Sequence, residues 1–140
     1  MKLSRMFFVL FLALILFGAK SISYAQSQPV MYFCEKYDSD RGEIGVSDRF
    51  TKGYLTVMVK CDHALNLKNV SIQFDKYNFR TGKFDYYKKF AYVIDRDMKY
   101  VFFTKNEESD MKFEDAGFYR VFLLDDDDNT VASALIEIID

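Results

Sequence analysis

From Val30 to the C-terminus, apolar side chains return at every second position rather than at every third or fourth. Val70, Ile72 and Phe74 alternate with Ser71, Gln73 and Asp75, and Tyr119, Val121 and Leu123 alternate with Arg120 and Phe122. Period two is the signature of a strand, whose successive side chains point to opposite faces. After residue 25 no apolar stripe of helical period persists for about 12 residues, the length a packed helix needs. The pattern predicts strands near Val30 to Tyr37, Gly53 to Cys61, Val70 to Phe79, Phe84 to Ile94, Met98 to Thr104, Gly117 to Leu124 and Thr130 to Ile139, with a short extra strand at Glu43 to Val46. About seven antiparallel strands in one small domain define an all-β class, with a β-sandwich as the expected architecture and a small closed barrel as its rival.

Two hairpins carry the pattern further. In the first, Val70, Ile72 and Phe74 must share a core face with Phe84, Tyr86, Phe90, Tyr92 and Ile94, because cross-strand partners lie on one side of a sheet. That parity predicts Phe74 opposite Phe90 and Ile72 opposite Tyr92, around an odd loop at Thr81-Gly82-Lys83. The same register puts Asp75 opposite Lys89 and Tyr77 opposite Tyr87 on the outer face. In the second hairpin Tyr119, Val121 and Leu123 face the core with Ala132, Ala134 and Ile136. Its other face is also apolar, with Phe118, Phe122, Leu124, Val131 and Leu135 around Arg120. Such a pair either lies at the centre of a covered sheet or presents an interaction surface.

The N-terminus has a different make-up. Lys2 and Arg5 precede an unbroken apolar run of 11 residues from Phe7 to Phe17, then Gly18 and a polar stretch ending in Ser23-Tyr24-Ala25. This is the build of a secretory signal peptide over residues 1–25, and the run is too short for a spanning helix of about 20 residues. Cys34 lies too far along for lipid attachment, so the expectation is an exported domain over residues 26–140, in the periplasm, at the cell surface or outside the cell, with no membrane anchor after cleavage. Lys2, Arg5 and Lys20 leave with the peptide, and 16 basic residues then face 21 acidic ones. A nucleic-acid partner, which requires a surplus of Lys and Arg, is not expected.

Asp115-Ala116-Gly117-Phe118-Tyr119, just before the penultimate strand, resembles the Asp-x-Gly-x-Tyr element of immunoglobulin-like domains and, with the strand layout, suggests a secreted bacterial sandwich of that kind. The resemblance implies an immunoglobulin-like β-sandwich in which Tyr119 closes a corner by bonding to backbone upstream. The family's cysteine two residues later is Val121 here, and the chain has no Trp. Fold likeness of this kind carries no function.

Candidate chemistry is sparse. Cys34 and Cys61 would sit in a compartment that permits a disulfide, and a bridge closing about 27 residues contributes roughly 3–4 kcal/mol in the chain-entropy model; two free thiols are the other outcome. The spacing of Cys61 from Leu55, Val57 and Val59 points it into the core. His63 lies beside Cys61 and Asp62, but neighbours in an extended chain point to opposite sides, so catalysis is not expected there, and no metal ligand is assigned in the chain. Asp125 to Asp128 with Asn129 fit neither EF-hand register, and the run is expected to be a solvated hairpin tip rather than a calcium site. Asn69-Val70-Ser71 matches a glycosylation acceptor, which matters only in a eukaryotic secretory pathway. No phosphate loop, Cys-x-x-Cys or nucleophile elbow is present, and no cofactor is expected.

What remains is surface. Tyr77, Tyr87, Asp75 and Lys89 form one candidate patch, and Phe122 and Leu135 on the last hairpin form another. The sequence therefore points to a non-enzymatic module that binds a protein partner, or its own copy, through a sheet face or an edge strand. A glycan-binding domain that uses Tyr77 and Tyr87 is the alternative, since aromatic rings with polar tips suit both roles.

Overall fold

A computed structural model describes residues 27–104 and 111–140. The signal peptide expected over residues 1–25 lies outside them. The described residues form twelve strands and no helix. In chain order these are β1 (Val30–Cys34), β2 (Lys36–Asp38), β3 (Gly42–Ile44), β4 (Arg49–Thr51), β5 (Gly53–Tyr54), β6 (Thr56–Lys60), β7 (Asn69–Asn78), β8 (Lys83–Val93), β9 (Tyr100–Phe103), β10 (Lys112–Phe113), β11 (Gly117–Leu124) and β12 (Thr130–Ile139).

Two sheets make the sandwich. The smaller has the order β1-β6-β9 and the larger β4-β12-β11-β7-β8. Phe33, Val57, Val59, Val101 and Phe103 from the first meet Val70, Ile72, Phe74, Tyr119, Val121, Leu123, Ile136 and Ile138 from the second in one buried cluster. Each large apolar side chain so enclosed contributes about 1.5–3 kcal/mol. The Tyr92 and Phe103 rings meet edge to face at 5.0 Å across the layers. Matching β1, β6 and β9 to strands A, B and E, and β12, β11, β7 and β8 to G, F, C and C′, gives the arrangement of an immunoglobulin-like domain. The fold is that sandwich.

Two short strands escaped the periodicity. Arg49-Phe50-Thr51 forms β4, which runs parallel to β12 with Glu137 opposite Arg49, and Lys112-Phe113 forms β10 against β5. Three residues or fewer cannot display a period, so only tertiary pairing reveals them. The long strand predicted from Val30 to Tyr37 is split at Glu35, and the hairpin of β2 and β3 folds beyond the break.

The register of the β7–β8 hairpin differs from the expected one. Ile72 faces Phe90, Val70 faces Tyr92 and Phe74 faces Lys88. The odd offset comes from a bulge rather than from the loop: between Phe74 and Asp75 the pairing skips Tyr87, and the loop is the four residues from Phe79 to Gly82. Asn78 organises that loop, its carbonyl accepting from Gly82 N at 2.8 Å and its Oδ1 from Arg80 N at 2.9 Å. Gly82 takes a φ of 69°, the left-handed region that costs a Cβ-bearing residue about 1 kcal/mol. Beyond the bulge every side chain of β8 changes face. Phe84 and Tyr86, expected in the core, stand opposite Tyr77 and Asp75 on the outside.

Candidate functional site

The bulge decides what the outer face of the larger sheet carries. Phe84 turns outward beside Tyr77, at 5.2 Å between rings, and Tyr77 meets Phe79 at 5.0 Å. Phe79 reaches Phe118 across the sheet at 6.1 Å. Arg120 lies at the centre, its guanidinium 4.9 Å from the Phe84 ring and 4.7 Å from the Phe122 ring. A guanidinium stacked between rings gains about 0.5–1 kcal/mol at an exposed site. The result is a belt running Phe118, Phe79, Tyr77, Phe84, Arg120, Phe122. At its margins Phe79 is 72% exposed, Tyr86 66% and Leu135 61%.

Asp75 fixes Arg120 from beneath. Its carboxylate is nearly buried, pairs with Arg120 Nη2 at 3.3 Å and accepts from Gln73 Nε2 at 2.9 Å. Arg120 stands opposite Asp75 on β7 and opposite Leu135 on β12, so the ladder itself sets the contact. Lys89 is not Asp75's partner, as the sequence suggested; it faces Gln73 and pairs with Asp128. Tyr77 and Tyr87 are also apart. Tyr77 belongs to the outer belt, whereas Tyr87, the bulged residue, packs on the core with its ring 5.5 Å from that of Tyr119. Of the six surface residues predicted, Asp75, Tyr77, Phe122 and Leu135 share the outer face around Arg120. Sequence reasoning missed Phe79, Phe84 and Tyr86, because a bulge has no signal in a pattern of period two.

The smaller sheet's outer face is partly covered by the chain itself. Met58 points outward from β6 yet is fully buried, and Tyr37 of β2 stacks on Phe102 of β9 at 4.4 Å. Glu43 of β3 accepts from the Tyr32 hydroxyl at 2.5 Å and pairs with Lys60 at 3.4 Å. Those hydrogen bonds, from Tyr32 first and then Tyr100, hold the Glu43 carboxyl down to about 2. The β2–β3 hairpin is thus a lid pinned by charge and by stacked rings.

Pairing at the β8 edge is poorly provided for. β8 borders the larger sheet but carries Lys83, Lys88 and Lys89 and a bulge, the devices that discourage a second strand from adding. Lys88 turns inward at the sheet margin, its Nζ 5.2–5.7 Å from the rings of Phe74, Tyr87, Phe90 and Phe113, and it donates to the Lys112 carbonyl.

The hairpin tip at Asp125 to Asn129 satisfies itself. Asp125 Oδ1 accepts from Asn129 N at 2.8 Å and from Asp127 N at 2.9 Å, and these bonds, Asn129's foremost, hold its carboxyl below the usual range. A groove of about 710 Å³ runs from this tip along Asn69, Ser71, Lys89 and Ala91.

The cysteines are free and far apart. Cys34 is buried on β1 opposite Thr56, while Cys61 follows the far end of β6, where Lys60 faces Val30. Five residues of strand separate Thr56 from Cys61, roughly 17 Å, and a disulfide needs Cα atoms within about 7 Å. Cys61 is also partly exposed rather than turned into the core, because the strand ends before it and the chain bends at Asp62 and His63. There the three side chains converge instead of alternating. Cys61 Sγ lies 3.3 Å from His63 Nδ1, which is 2.6 Å from Asp62 Oδ1.

The corner tyrosine stands where the resemblance placed it. Tyr119 is fully buried and its hydroxyl donates to the Asp115 carbonyl at 2.8 Å. Burial, with Tyr87 and Asp115 nearby, pushes the phenol well above its ordinary value. Val121, in the place of the family's cysteine, is fully buried, so apolar packing joins the sheets there.

Strand order, corner and two-layer core define the class: an immunoglobulin-like all-β sandwich. No protein-family model matches the chain, and no curated protein does. Among solved structures it is similar to a superoxide reductase (neelaredoxin) from Ignicoccus hospitalis, at 14% identity and TM-score 0.42, with 86% of each chain covered. It is also similar to an immunoglobulin-like protein from Pseudomonas aeruginosa, at 11% identity and TM-score 0.45, with 82% of this chain and 99% of that one covered.

Proposed function

We propose that this is an exported, non-enzymatic interaction module that binds a protein through the outer face of its larger sheet. The observation that carries this reading is the aromatic belt around Arg120, with Phe79, Phe118, Tyr86 and Leu135 left exposed beside it. Phe, Tyr and Arg are the residue types enriched where proteins bind each other, and a guanidinium already held by two rings and a carboxylate loses little freedom on docking. The smaller sheet supports the choice of face, since its own hairpin covers part of it. The lysines and bulge of β8 favour a face over an edge. Export rests on the charged start, 11-residue apolar run and small residues before Gln26.

The glycan-binding alternative required Tyr77 and Tyr87 on one platform, and the bulge sends their rings to opposite sides of the sheet. A protein partner offering apolar side chains suits the belt better, and a second copy of the chain is the first candidate to test. Sedimentation over a concentration series, together with cross-linking in native envelope extract, would compare the wild type with Phe79→Asp/Phe118→Asp. Association or a discrete cross-linked product that is lost in the variant is the expected result. A wild type that stays monomeric and cross-links no differently from the variant would overturn the reading.

A further inference from the structure

We propose that Cys61, Asp62 and His63 form a three-ligand site for a divalent transition-metal ion, with zinc as the ion it takes. Thiolate, imidazole and carboxylate are zinc's protein ligands, at about 2.0–2.3 Å from the metal. Around a tetrahedral ion, ligand atoms at those lengths stand about 3.4–3.6 Å from one another. The separations here are 3.3 Å from Sγ to Nδ1, 3.9 Å from Sγ to Asp62 Oδ1 and 2.6 Å from Nδ1 to that oxygen. The last must open and the Sγ–Oδ1 separation must close, each by less than about 1 Å, with the ion taking the place of the His63–Asp62 hydrogen bond; Asp62, its side chain 67% exposed, has room to turn.

The surroundings of the thiol supply a second reason. Sγ lies 3.3 and 3.6 Å from the two imidazole nitrogens, 3.6 Å from the Ser27 carbonyl and 3.9 Å from the Asp62 carboxylate. A thiol has one proton to donate and a weakly accepting sulfur, so it cannot bond to the Ser27 carbonyl and the Asp62 carboxylate together, since both groups only accept. A single cation satisfies thiolate, imidazole and carboxylate together, and one thiolate with one carboxylate balance a divalent charge.

The backbone holds the bend in place before any ion arrives. Cys61 N donates to the Lys99 carbonyl at 2.8 Å, Leu65 N to Met98 at 2.9 Å and Asn66 N to Arg96 at 2.9 Å, which ties both flanks of the trio to the β9 side. Three ligands from consecutive residues leave the outward side open. A fourth position therefore remains for water, for the Ser27 carbonyl or for a ligand brought by another molecule.

Cobalt(II) is the probe, because a cobalt–thiolate bond gives a charge-transfer band that oxygen and nitrogen ligands do not. Reduced protein titrated with cobalt should develop that band to one equivalent, and zinc should displace it. Cys61→Ser should abolish the band, His63→Ala should weaken zinc binding at least about tenfold, and Cys34→Ser should leave both unchanged. Zinc should also slow alkylation of Cys61. Circular dichroism of each variant separates a lost ligand from a lost fold, and His63→Ala, at a half-buried position in the bend, stands in if Cys61→Ser does not fold. Absence of a charge-transfer band at one equivalent, or a band that survives in Cys61→Ser, would overturn the proposal.

Discussion

Tyr119 donates its hydroxyl to the carbonyl of Asp115, four residues upstream, at 2.8 Å, and its ring is fully buried between the sheets. The bond ties the loop entering β11 to the core. Phe113 and Tyr87 enclose the same ring at 5.1 and 5.5 Å. Tyr119→Phe keeps the ring contacts and leaves the carbonyl without its donor. Equilibrium urea unfolding should show a loss of about 1–2 kcal/mol. A variant as stable as the wild type would mean that the corner contributes only packing.

Arg120 and Asp75 differ in exposure, and that predicts an asymmetry. Arg120→Met leaves a nearly buried carboxylate with Gln73 alone, which should cost about 1–3 kcal/mol, reduced from the fully buried case because the guanidinium is partly solvated. Adding Asp75→Asn should return part of that loss. A thermodynamic double-mutant cycle measures the coupling, and strictly additive losses would show that the pair contributes nothing beyond its separate contacts.

Glu43 links stability to acid. Its carboxyl is lowered from 4.5 to about 2 in the folded protein by the Tyr32 and Tyr100 hydroxyls and by Lys60. A depressed carboxyl stabilises the fold fully above its unfolded value, and the contribution fades as the pH falls from about 4.5 toward 2. Thermal unfolding followed across that window should fall more steeply for the wild type than for Glu43→Gln. Parallel curves would show that the β2–β3 lid does not depend on this charge.

The two thiols should differ in reactivity. In unreduced, folded, metal-free protein a water-soluble disulfide reagent should modify Cys61 quickly and Cys34 only on unfolding, because Cys34 is fully buried and burial raises its thiol above the usual range. Two thiols per chain should be counted in denaturant without reductant. A count of zero would demonstrate a bridge and a different arrangement of β1 against β6.

Period two was legible wherever a strand is long. β11 and β12 have the predicted bounds, and Tyr119, Val121 and Leu123 stand opposite Ile136, Ala134 and Ala132 in the predicted set. The corner was legible because Asp115 and Tyr119 are separated by one turn of loop, a local relationship. The belt was only half legible. Phe122 and Leu135 follow from alternation on one hairpin, but Phe84 and Tyr86 depend on where β8 slips by one residue, at Tyr87, whose ring packs on Tyr119.

The sequence by itself determined that the chain makes strands, which face of each long strand is apolar and where the corner tyrosine falls, because these depend on side-chain period and on contacts within a few residues. Only the tertiary structure decided the bulge, the parallel pairing of β4 with β12, the distance between Cys34 and Cys61 and the convergence of Cys61 with Asp62 and His63. Each of these is set by packing between segments distant in the chain or by the place where a strand stops, and alternation in one strand carries no record of either.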